Sequence, residues 1–382
     1  MMRIGRLLIA LSACLILGAC AASQAFGQPQ PVPRMSVRSL DKVSYVALAQ
    51  QWKEYMDKHG ETADGLVNLG MAERYTGEMD AARAAGKRAV ELEPNNPRAL
   101  TFYATILSLM DEQSVEAVKL LERSRAVAPD YGDALIALDA TYLRAGELMK
   151  AMPISKTIFE RRVLSRPLQD FAYNMLIGLP EGAILVTNGD NDTFPPLALQ
   201  AGMDLRTDVV VVNRNLLNAP GYVDSLFSDY PFLRPAGEWK PAEGTNVSRA
   251  ILERWIAEGK RPIYFAVSVP VENIGLSTTM VPEGLCWKAA GRGLSPNEAA
   301  RVVLERYRLD SATDWDFAWD LVPEISGMMG NYVGAMVNLA EREGVARDLQ
   351  CRLLEKAEAI AEFHNFRTKA HVKALLKKCE GK

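Results

Sequence analysis

The apolar positions change period along the chain, and that change divides it. Between residues 41 and 165 they recur at helical spacing, beginning with DKVSYVALAQQWKEYMDK at 41–58, as amphipathic helices facing a core require. From residue 181 the pattern becomes short apolar runs bounded by Gly, Pro and Asn: Ala183 to Thr187 (AILVT), Asp208 to Asn213 (DVVVVN) and Pro262 to Val267 (PIYFAV). These runs are rich in β-branched residues and too continuous for half-exposed strands, so they read as buried parallel strands. Helical stretches at 193–202, 220–229 and 246–259 lie between them. Strand and helix in this rhythm imply right-handed crossovers and an open parallel sheet with helices packed on it. Two further helical stretches, 345–363 and 367–379, close the chain, with basic residues concentrated near the end.

The helical region carries a repeat of about 34 residues. In residues 63–96 the markers are Leu69-Gly70, Gly77, Ala82, Ala89 and Pro94-Asn95. Residues 97–131 repeat them more loosely as Ala99, Tyr103-Ala104, Ala117 and Pro129, with one residue added near Gln113. A third copy has Ala134, Leu138, Tyr142, Gly146 and Ala151. Small residues stand where two helices approach closely, and Gly77 frees the backbone at the turn. This spacing resembles the tetratricopeptide repeat, which stacks into a curved solenoid whose concave face holds a peptide or partner segment. The resemblance implies a protein partner; the alternative is that the repeats only brace the rest of the chain. Residues 41–58 are expected to cap the array, and Pro153 to kink or restart the second helix of the third copy.

Ahead of the repeats, Arg3 and Arg6 precede an apolar run from Leu7 to Leu17, followed by Gly18, Ala19 and Cys20. That is the layout of a secretory signal, about half the length of a bilayer-spanning helix. Leu17-Gly18-Ala19-Cys20 resembles the bacterial lipobox, which implies acylation of Cys20, a lipid bilayer as partner and, with Ala21 following, outer-membrane sorting. Ordinary cleavage near Ala22, discarding Cys20, is the alternative. Residues 21–37 (AASQAFGQPQPVPRMSV) hold three prolines and three glutamines without an apolar period, and read as a solvated tether.

Composition narrows the classes. With 382 residues, 48% hydrophobic and 24% charged, the chain can bury a full core and is expected to hold two domains. A net charge of −3 and a pI near 5.9 give no bulk basic field, so nucleic acid is not an expected partner. Cys286, Cys351 and Cys379 show no CxxC spacing, which disfavours zinc. Cys351 and Cys379 lie equally far on either side of His364-Asn365-Phe366. A helical hairpin turning there would bring them level for a disulfide in an oxidising compartment, with Cys286 as a competitor.

Candidate chemistry gathers where the strands end, since ligands of open parallel sheets bind outside the carboxyl ends. The segments leaving those ends are Asn188-Gly189-Asp190-Asn191-Asp192-Thr193, Asn213-Arg214-Asn215 and Ser268 to Asn273. Asp190 and Asp192 are two carboxylates on one loop, a spacing suited to a divalent cation such as Mg²⁺ or Ca²⁺. Arg214 could hold a phosphate or carboxylate in a bidentate pair, and Asn188 and Asn213 complete the candidate set. The structural alternative assigns Asp192 to capping the next helix, Asp190 to an Asx turn and Arg214 to neutralising Asp190.

A second resemblance rests on AILVTNGDNDTFPPLALQ, RTDVVVVNRNLLN, RPIYFAVSVPVENIGL and EGLCWK, continuing to Asn331-Tyr332 and Leu339-Ala340. Over roughly 167–345 the chain resembles the soluble C-terminal part of large bacterial membrane proteins of unknown function related to protein O-mannosyltransferases. The resemblance implies a shared accessory fold and a link to envelope glycan or protein modification, but carries no catalytic residue across. No Gly-rich phosphate loop, GxSxG or HExxH is present. The three histidines, His59, His364 and His371, fall in segments read as solvent-facing helices or a turn, and Trp315, Phe317 and Trp319 read as helix-to-sheet packing rather than a sugar platform.

The expected architecture is therefore α plus α/β: a lipoprotein signal at 1–20, a tether at 21–40, tetratricopeptide helices at 41–165, a small parallel-sheet α/β domain at 166–310 and a C-terminal helical segment at 311–382. The expected role is a membrane-anchored periplasmic scaffold or accessory factor of the cell envelope, non-enzymatic and without a cofactor. The alternative is a ligand-, metal- or glycan-binding module or enzyme built on Asp190 and Asp192.

Overall fold

A computed structural model describes residues 27–33, 38–111, 114–237, 246–276, 278–290, 293–314 and 323–381. The chain divides into two compact units between Ala134 and Leu135. The first holds α1 (Lys42–His59), α2 (Ala63–Thr76), α3 (Met79–Leu92), α4 (Pro97–Met110) and α5 (Val115–Val127). Their starts are written locally. Thr62 accepts from Gly65 N, Asn96 from Arg98 N and Ala99 N ahead of Pro97 at the first helical position, and Ser114 from Ala117 N, each satisfying donors that a helix start leaves unpaired. Gly77 ends α2 in the left-handed region at φ 98°, where glycine has no Cβ penalty.

Two antiparallel pairs result, α2 on α3 and α4 on α5. Small residues set how closely they approach: Ala82, Ala89, Ala99 and Ala117 are fully buried, and a Cβ on Gly70 would stand 2.6 Å from the Phe102 ring. Helix α1 covers the open side of α2 with Tyr45, Trp52 and Met56, the capping place expected of it. The stretch expected to be a solvated tether is held at one residue: Gln30 and Pro31 are exposed, but Val32 is buried with the α1 and α2 side chains, its amide donates to Asn68 Oδ1 at 2.9 Å, and Trp52 Nε1 donates to Gln30 O at 3.1 Å.

The boundary falls inside α6 (Gly132–Arg144), so most of the third repeat belongs with the second unit rather than ending a helical domain at 165. Helix α7 (Leu148–Glu160) runs through Pro153 without restarting. Gly146, between α6 and α7, has φ 78°, and a Cβ there would lie 2.0 Å from the carbonyl oxygen of Gly221. Helix α8 (Arg166–Ile177) leads into the sheet, followed by β1 (Ile184–Thr187), α9 (Asp190–Met203), β2 (Val210–Asn213), α10 (Pro220–Asp229), α11 (Val247–Glu258), β3 (Ile263–Ala266) and the single turn α12 (Val271–Ile274). Strands β4 (Met280–Glu283) and β5 (Cys286–Ala289) come next, then α13 (Pro296–Arg306), α14 (Pro323–Ala340), α15 (Arg347–Phe363) and α16 (Lys369–Glu380).

The sheet order is β2-β1-β3-β5-β4. Strands β2, β1 and β3 are parallel and wholly buried, in the register Ile184↔Val210 and Ile184↔Ile263. The sheet is nevertheless mixed, not parallel throughout, because β5 runs antiparallel to both β3 and β4. A two-residue turn makes this possible: Glu283 pairs with Cys286 across Gly284-Leu285, with Gly284 at φ 65°. Glycine at the first turn position is what a tight hairpin demands. Strand β4 stayed hidden because Met280–Glu283 is only partly buried and contains Pro282, as edge strands allow. Helices α14, α15 and α16 pack in succession. Among the described residues no helix is long and apolar enough to cross a membrane.

Candidate functional site

The carboxyl ends of β1, β2 and β3 bring the candidate residues into one polar network. Asp192, in the first turn of α9, is 3% exposed, and its carboxylate folds back to accept from Asn188 N at 2.8 Å and Gly189 N at 2.7 Å. The Ser268 hydroxyl, just beyond β3, donates to the same carboxylate. Burial raises the Asp192 pKa, opposed by the hydrogen bonds from Ser268, Asn188 and Gly189. One side chain thus closes the β1–α9 loop and ties it to the neighbouring strand end.

Across the β1–β2 seam, Thr187 Oγ1 and Thr193 Oγ1 are 2.7 Å apart, and Asn213 Nδ2 donates to Thr193 Oγ1 at 3.0 Å. Asn213 Oδ1 accepts from Asn215 N at 2.9 Å. Arg214 Nε donates to Asn188 Oδ1 at 2.7 Å, and Asn215 Nδ2 donates to Asn188 O at 2.5 Å. Asn188, Asp192, Asn213 and Arg214 therefore share one network, joined by Thr187, Thr193, Asn215 and Ser268; the last three lie in the strand-end segments marked in the sequence but were not among its candidate site residues. Serine and threonine at strand ends are too common to signal that role. Asp190 is exposed at the start of α9, whereas Asp192 is buried.

Part of this region matches a known family. A family model described as TMEM260-associated domain 2 matches residues 168–230, the stretch from α8 through β1, α9 and β2 to α10, which carries the network's β1 and β2 ends. A crystal structure of a tetratricopeptide repeat protein from Parabacteroides merdae ATCC 43184 is similar at 13% identity, covering 91% of this chain and 96% of that one, with a TM-score of 0.32. No curated protein matches the chain.

A hard cation prefers several convergent oxygens that are not already committed. Asp192 already accepts three hydrogen bonds of the roughly four that a carboxylate offers. Among the described residues no group of three or more His, Cys, Asp or Glu is placed to hold a metal ion. Behind the network, Tyr264 donates from its hydroxyl to Glu283 Oε2 at 2.9 Å, and Glu283 Oε1 accepts from Leu294 N at 2.6 Å. Cys286 is free and buried. Burial pushes its thiol pKa far up, with the Glu283 and Asp192 charges adding to the shift, so it is held as an unreactive thiol.

Cys20 lies outside the described residues, as do Trp315, Phe317 and Trp319. Cys351 on α15 and Cys379 on α16 are joined as a disulfide, with Cα atoms 5.6 Å apart. His364, which the sequence placed in a solvent-facing segment, is only partly exposed. Its Nδ1 is 3.0 Å from Ser326 Oγ, its Nε2 is 2.9 Å from Ala312 O, and its ring stacks on Phe366. Desolvation lowers its pKa, opposed by the hydrogen bond to Ala312, and the half-buried ring packs at the α15–α16 turn.

Proposed function

We propose that this chain is an exported lipoprotein of the bacterial cell envelope, held by acyl chains on Cys20, in which the tetratricopeptide-like helices engage a protein partner and the α/β unit acts as an accessory module. The observation that carries the scaffold reading is the repeated pairing of α2 with α3 and α4 with α5 around buried alanines and Gly70, a construction that stacks into an extended binding surface. The Cys351–Cys379 disulfide supports an oxidising compartment. The commitment of Asp192 to its own loop favours a structural over a catalytic role for the strand-end network. The match to TMEM260-associated domain 2 over residues 168–230 supports reading this part of the α/β unit as a module shared with other proteins.

Labelled palmitate supplied to cells making the chain tests the anchor: it should enter the wild-type product and not Cys20→Ser. Recovery of unlabelled, uncleaved wild type from the cytosol would overturn the envelope assignment. Affinity capture from native envelopes, with α1 to α5 present and then deleted, tests the scaffold. A partner retained equally by both forms would remove the repeats from the interaction.

A further inference from the structure

The repeat unit already holds a peptide, and that peptide is its own. Residues 28–33 (QPQPVP) reach α1 and α2 through main-chain groups: the Gln30 carbonyl accepts from Trp52 Nε1 at 3.1 Å, and the Val32 amide donates to Asn68 Oδ1 at 2.9 Å. Only Val32 is sunk, at 3% exposure. Asn68 is held on both sides without the segment's help. Its Nδ2 donates to Asp64 O at 2.8 Å, and its Oδ1 also accepts from Arg98 Nη2 at 3.0 Å. A receptor group fixed in this way keeps its geometry when its occupant leaves, which lowers the cost of taking another.

The occupant suits exchange for equally plain reasons. Pro29, Pro31 and Pro33 have no amide to leave unpaired and preset an extended backbone, so little entropy is lost on docking. Recognition by one carbonyl, one amide and one apolar side chain does not depend on the identity of the other residues. We propose that this surface of α1 and α2 is a docking site for an extended, proline-bracketed apolar segment of a partner protein, and that residues 28–33 occupy it in cis until such a segment displaces them. The inference rests on reading the repeats as partner-binding and names what they bind. Covalent attachment gives the cis segment an effective concentration on the order of millimolar, so weak competitors are excluded and only a tighter or multivalent partner enters.

The test uses the full chain carrying a protease site at residues 34–37, cut after folding, with the released N-terminal piece removed and the cleaved chain's melting checked. Fluorescein-labelled GQPQPVP is then titrated by anisotropy. The cleaved chain should bind it roughly tenfold or more tightly than the uncut chain, and Asn68→Ala in the cleaved chain should abolish binding. Equal binding by cut and uncut chains, or none by the cut chain up to millimolar peptide, overturns the proposal. Hydrogen exchange on the uncut protein supplies a readout without substitutions: the Val32 amide should exchange more slowly than in the free peptide and lose that protection when excess peptide is added. Exchange at the free-peptide rate also overturns it. No binding here leaves the envelope scaffold standing, whereas failure of the palmitate experiment leaves this equilibrium measurable.

Discussion

Two buried aspartates show how differently one residue type can be held. Asp192 sits at a helix start with two backbone amides and a serine hydroxyl on its carboxylate, where the helix dipole also favours charge. Asp139, in the middle of α6, is fully buried, accepts one hydrogen bond from Ser155 Oγ at 2.9 Å and has no hydrogen-bond partner for Oδ1. Burial raises its pKa to about 7. A carboxyl whose folded pKa exceeds its unfolded value gives stability that is fully present below the unfolded pKa and lost as pH rises through the folded one. The window here runs from about pH 4 to 7, and the full shift is worth roughly 4 kcal/mol. Urea denaturation at pH 5 and pH 8 should show wild type losing several times more stability than Asp139→Asn. Equal losses would mean that the carboxyl is solvated or paired in solution. Sequence gave no warning of this residue, because burial of a helical aspartate depends on which face the neighbouring helix covers.

At the scale of elements, glycines that look alike in the sequence do unlike work. Gly77 and Gly146 occupy equivalent turns of two repeats and both have positive φ, 98° and 78°. A Cβ on Gly77 would meet nothing within 4 Å, whereas one on Gly146 would meet the Gly221 carbonyl oxygen at 2.0 Å. Gly77→Ala should therefore cost about 1–2 kcal/mol for the left-handed backbone alone. Gly146→Ala adds displacement of the start of α10 and should cost roughly 1–3 kcal/mol more. Denaturation midpoints of the two variants in that order support the account; the reverse order would mean that the turn at Gly146 does not approach α10. The repeat pattern was legible at the Gly77 and Gly146 turns, and so were β1, β2, β3 and the helices between them; the turn near Gln113 lies outside the described residues. The β4–β5 hairpin was not, because its strands are short, partly exposed and, in β4, contain a proline, leaving too little alternation to distinguish them from loop.

For the whole molecule, the question is what closes the chain at its end. Helices α15 and α16 are joined through Cys351 and Cys379, 28 residues apart, and a link that closes a loop of this size removes unfolded-state entropy worth about 3–4 kcal/mol. Replacing both cysteines by serine should lower the melting temperature under non-reducing conditions, and dithiothreitol should lower it in wild type without affecting the variant. Identical wild-type melting with and without reductant would show that the link is absent from the native protein. The place of the two sulfurs about His364-Asn365-Phe366 was visible in the sequence because a helical hairpin fixes register locally; the choice against Cys286 was not, since that residue is enclosed by the sheet.

By itself the sequence determined the local terms: where helices begin and end, which runs become buried strands, and which loops leave their carboxyl ends. Those depend on neighbours within a few residues, through caps, turns and periodicity. Only the tertiary structure decided that Asp192 turns back into its own loop, that Arg214 meets Asn188, that the sheet is mixed, and that a proline-rich stretch read as tether lies against Trp52 and Asn68. Each of those joins groups far apart in the chain or selects among several available partners, and the selection is made by burial: an amide, a carboxylate or a valine settles where leaving it would cost the most.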